Sequence, residues 1–347
     1  MKCINKWICL SLLIAVSCVS GCGKTSAVIE QPYDVYATAA DFGLSSNGSA
    51  EAKSYFASDL CVSEDVAIGT DSTDSQVAEG AGTFNLETNT VVYAKNLYER
   101  LYPASTTKIL TAYIALKYCD DLDAMVTVSE NAVNQASDSS VCNLKAGDVI
   151  RLRDLLYGLM LRSGNDAAVA IAEYISGDVD SFAALMNQEA AAMGATRSHF
   201  VNPNGLPDEN HYTCVYDMYL IFSNAIKNDT FVSIIGTTSF GVGALVRLGF
   251  VMGESFLDVV ITYTDASGEA VTHTWENTNQ YLTGNATTPD GFQIVGGKTG
   301  TTGEAGYCLV LYSYNPSGQP IISIVFKADG KSNLYLLMNE MLQGFAI

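Results

Sequence analysis

A chain of 347 residues that is 48% hydrophobic and 16% charged can bury the core of one large or two modest domains, which excludes a disordered or fibrous protein. Its formal net charge of −19, with an isoelectric point near 4.3, argues against a nucleic-acid partner and against electrostatic adhesion to anionic lipid.

At the N-terminus, Lys2 and Lys6 precede the apolar run Trp7 to Val16, which is too short to span a bilayer comfortably and reads as an export signal over residues 1–21. The signal closes on Val19-Ser20-Gly21-Cys22, which resembles the bacterial lipoprotein processing box, in which the cysteine is diacylated and becomes the new N-terminus. That resemblance implies lipid on Cys22 and an exported protein held at the outer face of the cytoplasmic membrane. Residues 22–60 are rich in Ser, Ala, Asn and Asp without periodicity and read as a tether. Beyond them Cys61, Cys119, Cys142, Cys214 and Cys308 form an odd set in apolar surroundings, expected as free thiols. No cysteine or histidine spacing marks a metal site, and neither metal nor cofactor is expected.

Two short strands around an Asn-containing turn are predicted over 83–94. They deliver the chain to Tyr102-Pro103-Ala104-Ser105-Thr106-Thr107-Lys108, where Pro103 and the unbroken apolar run that follows predict a buried helix from about Ser105. Three residues apart on that helix, Ser105 and Lys108 share one face, so a hydroxyl lies within reach of an amine: a nucleophile beside a base. Helices dominate from Asp120 to about Ser233. A polar loop, Leu161-Arg162-Ser163-Gly164-Asn165-Asp166, interrupts them, and either Ser163 or Asn165 could instead cap the helix that follows. After Gly236 the pattern turns to strands, with turns at 265–268 and 315–318, and a last helix runs from about Ser332 to Leu342. The predicted fold class is α/β in the α+β sense: an antiparallel sheet packed by terminal helices, plus an all-helical lobe over 61–347.

Near the C-terminus Val295-Gly296-Gly297-Lys298-Thr299-Gly300-Thr301 reads as a strand edge that another group can approach closely. A lysine and a threonine there, beside backbone donors, suit an anionic group such as a carboxylate.

Ser-x-x-Lys, Ser-x-Asn and Lys-Thr-Gly in this order resemble the signature of penicillin-recognising serine enzymes. The words around them, Pro103 to Lys108, Asp154 to Met160, Ser163 to Ala168, Asn202-Pro203-Asn204-Gly205-Leu206 and Gly297 to Gly300, closely resemble the low-molecular-mass D-alanyl-D-alanine carboxypeptidases, serine peptidase family S11. The similarity runs from about Ala81 onward and implies a β-lactamase/transpeptidase-like fold.

It further implies a substrate, a peptidoglycan stem peptide ending in D-Ala-D-Ala, and covalent inhibition by β-lactams. Ser105 would attack the penultimate carbonyl and Lys108, neutral because it is buried beside a second cation, would take its proton. Ser163 would relay a proton to the departing amine, and Asn165 would hold Lys108 and the substrate amide. Lys298, expected to be protonated and partly solvated, and Thr299 would bind the terminal carboxylate. The backbone N–H groups of Ser105 and Thr301 would form the oxyanion hole. Where many relatives carry a second, β-rich domain and a membrane-resting helix, this chain stops at Ile347, and the segment from about Phe240 to Trp275 looks longer than the usual connection, with room for an extra hairpin beside the site. The alternatives are a serine β-lactamase and a catalytically inactive peptidoglycan-binding lipoprotein.

Overall fold

The computed structural model describes residues 58–241 and 261–345. The export signal, Cys22, nearly all of the tether and the apolar middle of the 240–275 segment lie outside the described residues. Contacts gather Asp59–Ile347 into one compact unit.

First among the described strands and α-helices come β1 (Ala78–Asn85) and β2 (Thr90–Lys95), joined by a turn in which Asn89 takes φ 53. A block of helices follows: α1 (Lys108–Tyr118), α2 (Glu130–Val133), α3 (Leu152–Tyr157), α4 (Asn165–Ser176), α5 (Val179–Ala192), α6 (Val215–Ala225) and α7 (Asp229–Ile235). The short strands β3 (Met125–Thr127) and β4 (Val149–Arg151) are set among them. Then come β5 (Ser239–Gly241), β6 (Ile261–Thr264), β7 (Ala270–Glu276), β8 (Gln293–Thr302), β9 (Gly306–Tyr314), β10 (Pro320–Ala328) and α8 (Lys331–Phe345).

The main sheet is antiparallel in the order β2-β1-β10-β9-β8, so strands from both ends of the unit meet at its centre and β8 is left as an outer strand. Side-chain alternation splits this sheet between two cores. Ile321 and Val325 of β10, with Leu309 and Leu311 of β9, pack under α8, whereas Ile322, Ile324, Phe326, Cys308 and Val310 face the helical lobe. Helix α8 meets the sheet through Leu334, Leu337, Met338, Met341 and Leu342, an i, i+3, i+4, i+7, i+8 stripe, while Leu336 on the opposite side is 61% exposed. Burial of those five side chains contributes about 10 kcal/mol before the entropy of ordering them is subtracted. Helices α1 and α4 are buried over most of their circumference, as expected for the two helices at the middle of the lobe.

The fold class read from the sequence stands, with two differences of detail. Among the described residues the only terminal helix on the sheet is α8; the chain just before β1 runs as two short 3-10 turns, Thr70–Ser72 and Ser75–Val77. The helical lobe also carries a second five-stranded sheet, β3-β4-β6-β7-β5. Its β6-β7 hairpin lies in the 240–275 segment, around the turn predicted at 265–268. Phe240 of β5 stacks on Tyr157 with ring centroids 3.6 Å apart, and the indole N–H of Trp275 in β7 donates to Cys142 O at 3.3 Å.

Candidate active site

The turn that carries Ser105 is strained by construction. Ala104 takes φ 47 in the left-handed region, a conformation that costs a non-glycine residue about 1 kcal/mol or more. Thr106 holds the turn closed, its hydroxyl donating to Pro103 O at 2.7 Å. Residues Ala104–Thr107 form a 3-10 turn and α1 proper starts at Lys108, three positions later than the sequence suggests. Ser105 and Lys108 still meet: Lys108 Nζ lies 3.0 Å from Ser105 Oγ, and also 2.8 Å from Asn165 Oδ1 and 2.7 Å from Asn204 O.

These three neighbours suit a neutral amine. Its two N–H groups serve the two carbonyl oxygens, which can only accept, and its lone pair is left facing the one neighbour able to donate, the Ser105 hydroxyl. Electrostatics point the same way. Lys108 is fully buried, and burial first and the like charge of Lys298 second hold its pKa well below the usual lysine value, against smaller opposing pulls from Cys142 and Asp166.

The polar loop enters from the other side. After α3 a single π turn, Gly158–Arg162, ends at Ser163, which takes φ 62 and ψ 33. The residue that caps α4 is Gly164, without a side-chain bond, so neither Ser163 nor Asn165 performs the capping duty open to them. Asp166 fixes the loop from behind: its buried carboxylate accepts from the backbone N–H of Cys142, Leu144 and Ala167 at 2.8 to 3.1 Å. Asn165 N–H donates to Ser140 O at 2.8 Å.

Strand β8 closes the third side. Lys298 Nζ donates to Ser163 Oγ at 3.0 Å and to Thr299 O at 2.7 Å. It is 1% exposed, and burial lowers its pKa to about 7. The expectation of a protonated, partly solvated Lys298 is therefore corrected: the side chain lies under the loop, is shut off from water, and titrates near neutrality. Thr299 Oγ1 pairs with Thr278 Oγ1 at 2.5 Å. At Gly300 a Cβ would stand 3.0 Å from Ser105 N and 3.1 Å from Pro103 O, so any larger residue would push the strand a few tenths of an ångström away from the Ser105 turn. Thr301 follows at the exposed end of the same strand.

The structure thus bonds Lys108 to Ser105 and Asn165, bonds Lys298 to Ser163, brings the two lysines close enough to interact by charge, and sets Thr299 and Thr301 on the adjoining strand; Cys22 is outside the described residues. Sequence reasoning missed Asn204. Its contribution is a backbone carbonyl, and the signals for it were the glycine after it and the Asn202 to Leu206 word, to which no role was attached. Gly205 takes φ 87, and a Cβ there would stand 1.8 Å from Ala104 O. Gly205→Ala is expected to cost about 3 kcal/mol or more and to displace the Asn204 carbonyl. A denaturation midpoint within experimental error of wild type would count against this close approach. Among the described residues no group of three or more His, Cys, Asp or Glu side chains is placed to hold a metal ion.

A hydroxyl and a buried lysine at the head of a central helix, facing a Ser-Asn turn and a lysine on an outer strand, are shared by the serine enzymes that penicillin acylates. Comparison with known proteins narrows that class. The profile of peptidase family S11, described as D-alanyl-D-alanine carboxypeptidase, matches residues 69–240. The D-alanyl-D-alanine carboxypeptidase of Streptomyces sp. (strain K15) is 31% identical over 283 residues, covering 78% of this chain and 88% of that protein. DacF of Bacillus subtilis, another D-alanyl-D-alanine carboxypeptidase, is 31% identical over 269 residues, covering 76% of this chain and 61% of the relative, so the match spans about three fifths of that longer protein. Among solved structures, the Streptomyces K15 DD-transpeptidase superimposes with a TM-score of 0.65 at 31% identity, covering 78% of this chain and 98% of that one. The chain belongs to the D-alanyl-D-alanine carboxypeptidase family, S11.

Proposed function

We propose that the protein is a serine-type carboxypeptidase that removes the terminal D-Ala from peptidoglycan stem peptides ending in D-Ala-D-Ala. Lys108 takes the Ser105 proton as Oγ attacks the carbonyl of the penultimate residue, and the negative oxygen that forms is met by the backbone N–H groups of Ser105 and Thr301, each donor being worth roughly 3 kcal/mol in such sites. As the C–N bond breaks, a proton passes through Ser163 to the departing amine of D-Ala, leaving an ester on Ser105 that water hydrolyses. Asn165 orients Lys108 and the substrate amide, and Lys298 with Thr299 meets the terminal carboxylate. A β-lactam follows the same path as far as the ester. The observation that carries this reading is Lys108 Nζ, fully buried and 3.0 Å from Ser105 Oγ with its other two neighbours both carbonyl oxygens.

Mass spectrometry of a stem pentapeptide after incubation tests the reaction and the substrate class together: loss of one D-Ala is expected. Rapid turnover of nitrocefin with no release of D-Ala would assign a β-lactamase instead. Failure of Ser105 to take up fluorescent penicillin would leave only a peptidoglycan-binding role.

For location, the reading is an export signal over 1–21, a diacylated Cys22 and a tether to residue 60 ahead of the catalytic domain. The compact unit that starts at Asp59 agrees with this division. The cell-wall substrate places the enzyme in the envelope. No helix among the described residues is long and apolar enough to cross a membrane. Two acyl chains anchor stably, and about 40 flexible residues give an r.m.s. reach of roughly 35 Å. Cys22→Ala is expected to keep its peptidase activity on soluble peptides and to leave the membrane fraction. If the variant stays membrane-bound after signal cleavage has been demonstrated, the lipid is not the anchor.

A further inference from the structure

The segment 199–213 is fastened at both ends. His199 and Tyr212 exchange two backbone hydrogen bonds at 2.9 Å, and Leu101 and Thr213 exchange two at 2.8 and 2.9 Å. Within the segment Asn202 Oδ1 accepts from Gly205 N at 2.7 Å, turning the chain so that Pro203 O accepts from Thr111 Oγ1 and Asn204 O from Lys108 Nζ, both at 2.7 Å. One imidazole, His211, lies behind this turn with no exposed surface, edge-on to Phe200 at 5.5 Å.

Both of its nitrogens are used. Val201 N–H donates to Nδ1 at 3.1 Å, so in the neutral ring the proton sits on Nε2, which lies 2.8 Å from Thr107 Oγ1. Those two partners belong to opposite walls of the site. Thr107 is on the turn that carries Ser105 and directly precedes Lys108, while Val201 leads into the segment whose Asn204 carbonyl holds Lys108 Nζ. A fully buried polar ring is costly unless both nitrogens are bonded, and here they join the two walls between which the general base is held.

We propose that His211 is a positioning residue for acylation: by tying Thr107 to Val201 it sets where the Asn204 carbonyl stands, and so keeps Lys108 Nζ directed at Ser105 Oγ. The inference rests on the roles given to Ser105 and Lys108 above. His211 acts through its two partners and not on the reacting atoms. Burial holds its pKa down to about 4; Asp208 on its own segment opposes this slightly, while His199 across the bridge and Lys108 on α1 add to it. The ring is therefore neutral, and able to accept from Val201, wherever the enzyme works near neutral pH.

The test is the saturable acylation of the full chain by fluorescent penicillin, separating non-covalent affinity from the acylation rate constant. His211→Asn keeps an acceptor near the Nδ1 position and loses the reach to Thr107; His211→Gln keeps a donor near Nε2 and loses the bond to Val201. Each is expected to slow acylation roughly tenfold to a hundredfold with affinity within about twofold of wild type, since sub-ångström misplacement of a catalytic group acts on rate. Thr107→Val cuts the same link without touching the ring, and combined with His211→Asn it should add little to either single loss. Wild-type acylation rates in His211→Asn and His211→Gln would overturn the proposal. So would losses that track a lowered melting temperature and vanish when the assay is run cold, because they would make His211 a purely structural group. A wild-type enzyme that penicillin does not acylate would sink the reading of the site itself, and this inference with it.

Discussion

Lys108→Met will be folded and more stable than wild type near neutral pH, and nearly unable to form an acyl-enzyme. General-base removal costs on the order of 10³-fold in rate, and on the proposed mechanism Ser105 and Lys108 act as a unit, so Ser105→Ala with Lys108→Met should be hardly worse than Ser105→Ala alone. The stability gain has a definite sign. The folded-state pKa of Lys108 is depressed below the ordinary lysine value, so the unfolded chain binds more protons in between. The wild-type contribution is present above the unfolded pKa and is lost as pH falls towards the folded one. Methionine, similar in volume and unable to take a proton, removes that loss. Denaturant unfolding of both proteins at pH 7 and pH 10 is the check: the advantage of Lys108→Met should shrink at the higher pH. An equal advantage at both values would mean that Lys108 is not strained by its proton.

Lys298→Ala will slow turnover of amide as well as acid substrates, and the acid more, because the acid also loses its partner for the carboxylate. Were this lysine a solvated anchor for the carboxylate, only the acid would suffer. It is instead buried, bonded to Ser163 Oγ, and close enough to Lys108 for its charge to lower that group's pKa. Two further effects have fixed directions. With the like charge gone, the Lys108 pKa rises, so the acid limb of the acylation profile moves to higher pH. In wild type, Lys298 loses its proton through pH about 7, so attraction for a free carboxylate weakens above that value while acylation of an uncharged amide is helped by no such attraction at any pH. Pre-steady-state acylation of matched acid and amide substrates from pH 5 to 9 reads all of this. An amide rate unchanged from wild type would show that the contact to Ser163 is idle and restore the simpler carboxylate-anchor role.

How much of this was legible depended on what kind of atom did the work. Ser105 and Lys108 could be read because a three-residue spacing on a helix fixes their neighbourhood. Helix α8 and the β9-β10 hairpin could be read because their periodicity is long enough to count. The second sheet was harder: β3, β4 and β5 have three residues each, too few to show alternation, and they pair across long stretches of chain. Helix α7 falls at the end of the stretch read as helical, and its apolar residues continue two positions past Ser233 to Ile235. Ser163 at φ 62 had no glycine to announce it. Asn204 enters through its carbonyl, which every residue possesses, and the burial of Lys298 follows from the lobe closing over a strand edge, which no local pattern around Lys-Thr-Gly records.

The thiols open an experimental route. Of the five cysteines the structure describes, Cys61, Cys142, Cys214 and Cys308 are buried, whereas Cys119 is partly exposed; burial raises the pKa of all five, and Asp120 adds to it at Cys119, so labelling there calls for mildly alkaline buffer. Cys119 closes the far end of α1, eleven residues after Lys108 and so about 16 Å along the same rigid rod. A maleimide dye placed there would sit well away from Ser105 yet move with the helix that bears Lys108. Arrival and departure of a quenching penicillin could then be followed in real time on the native sequence, with no cysteine added or removed.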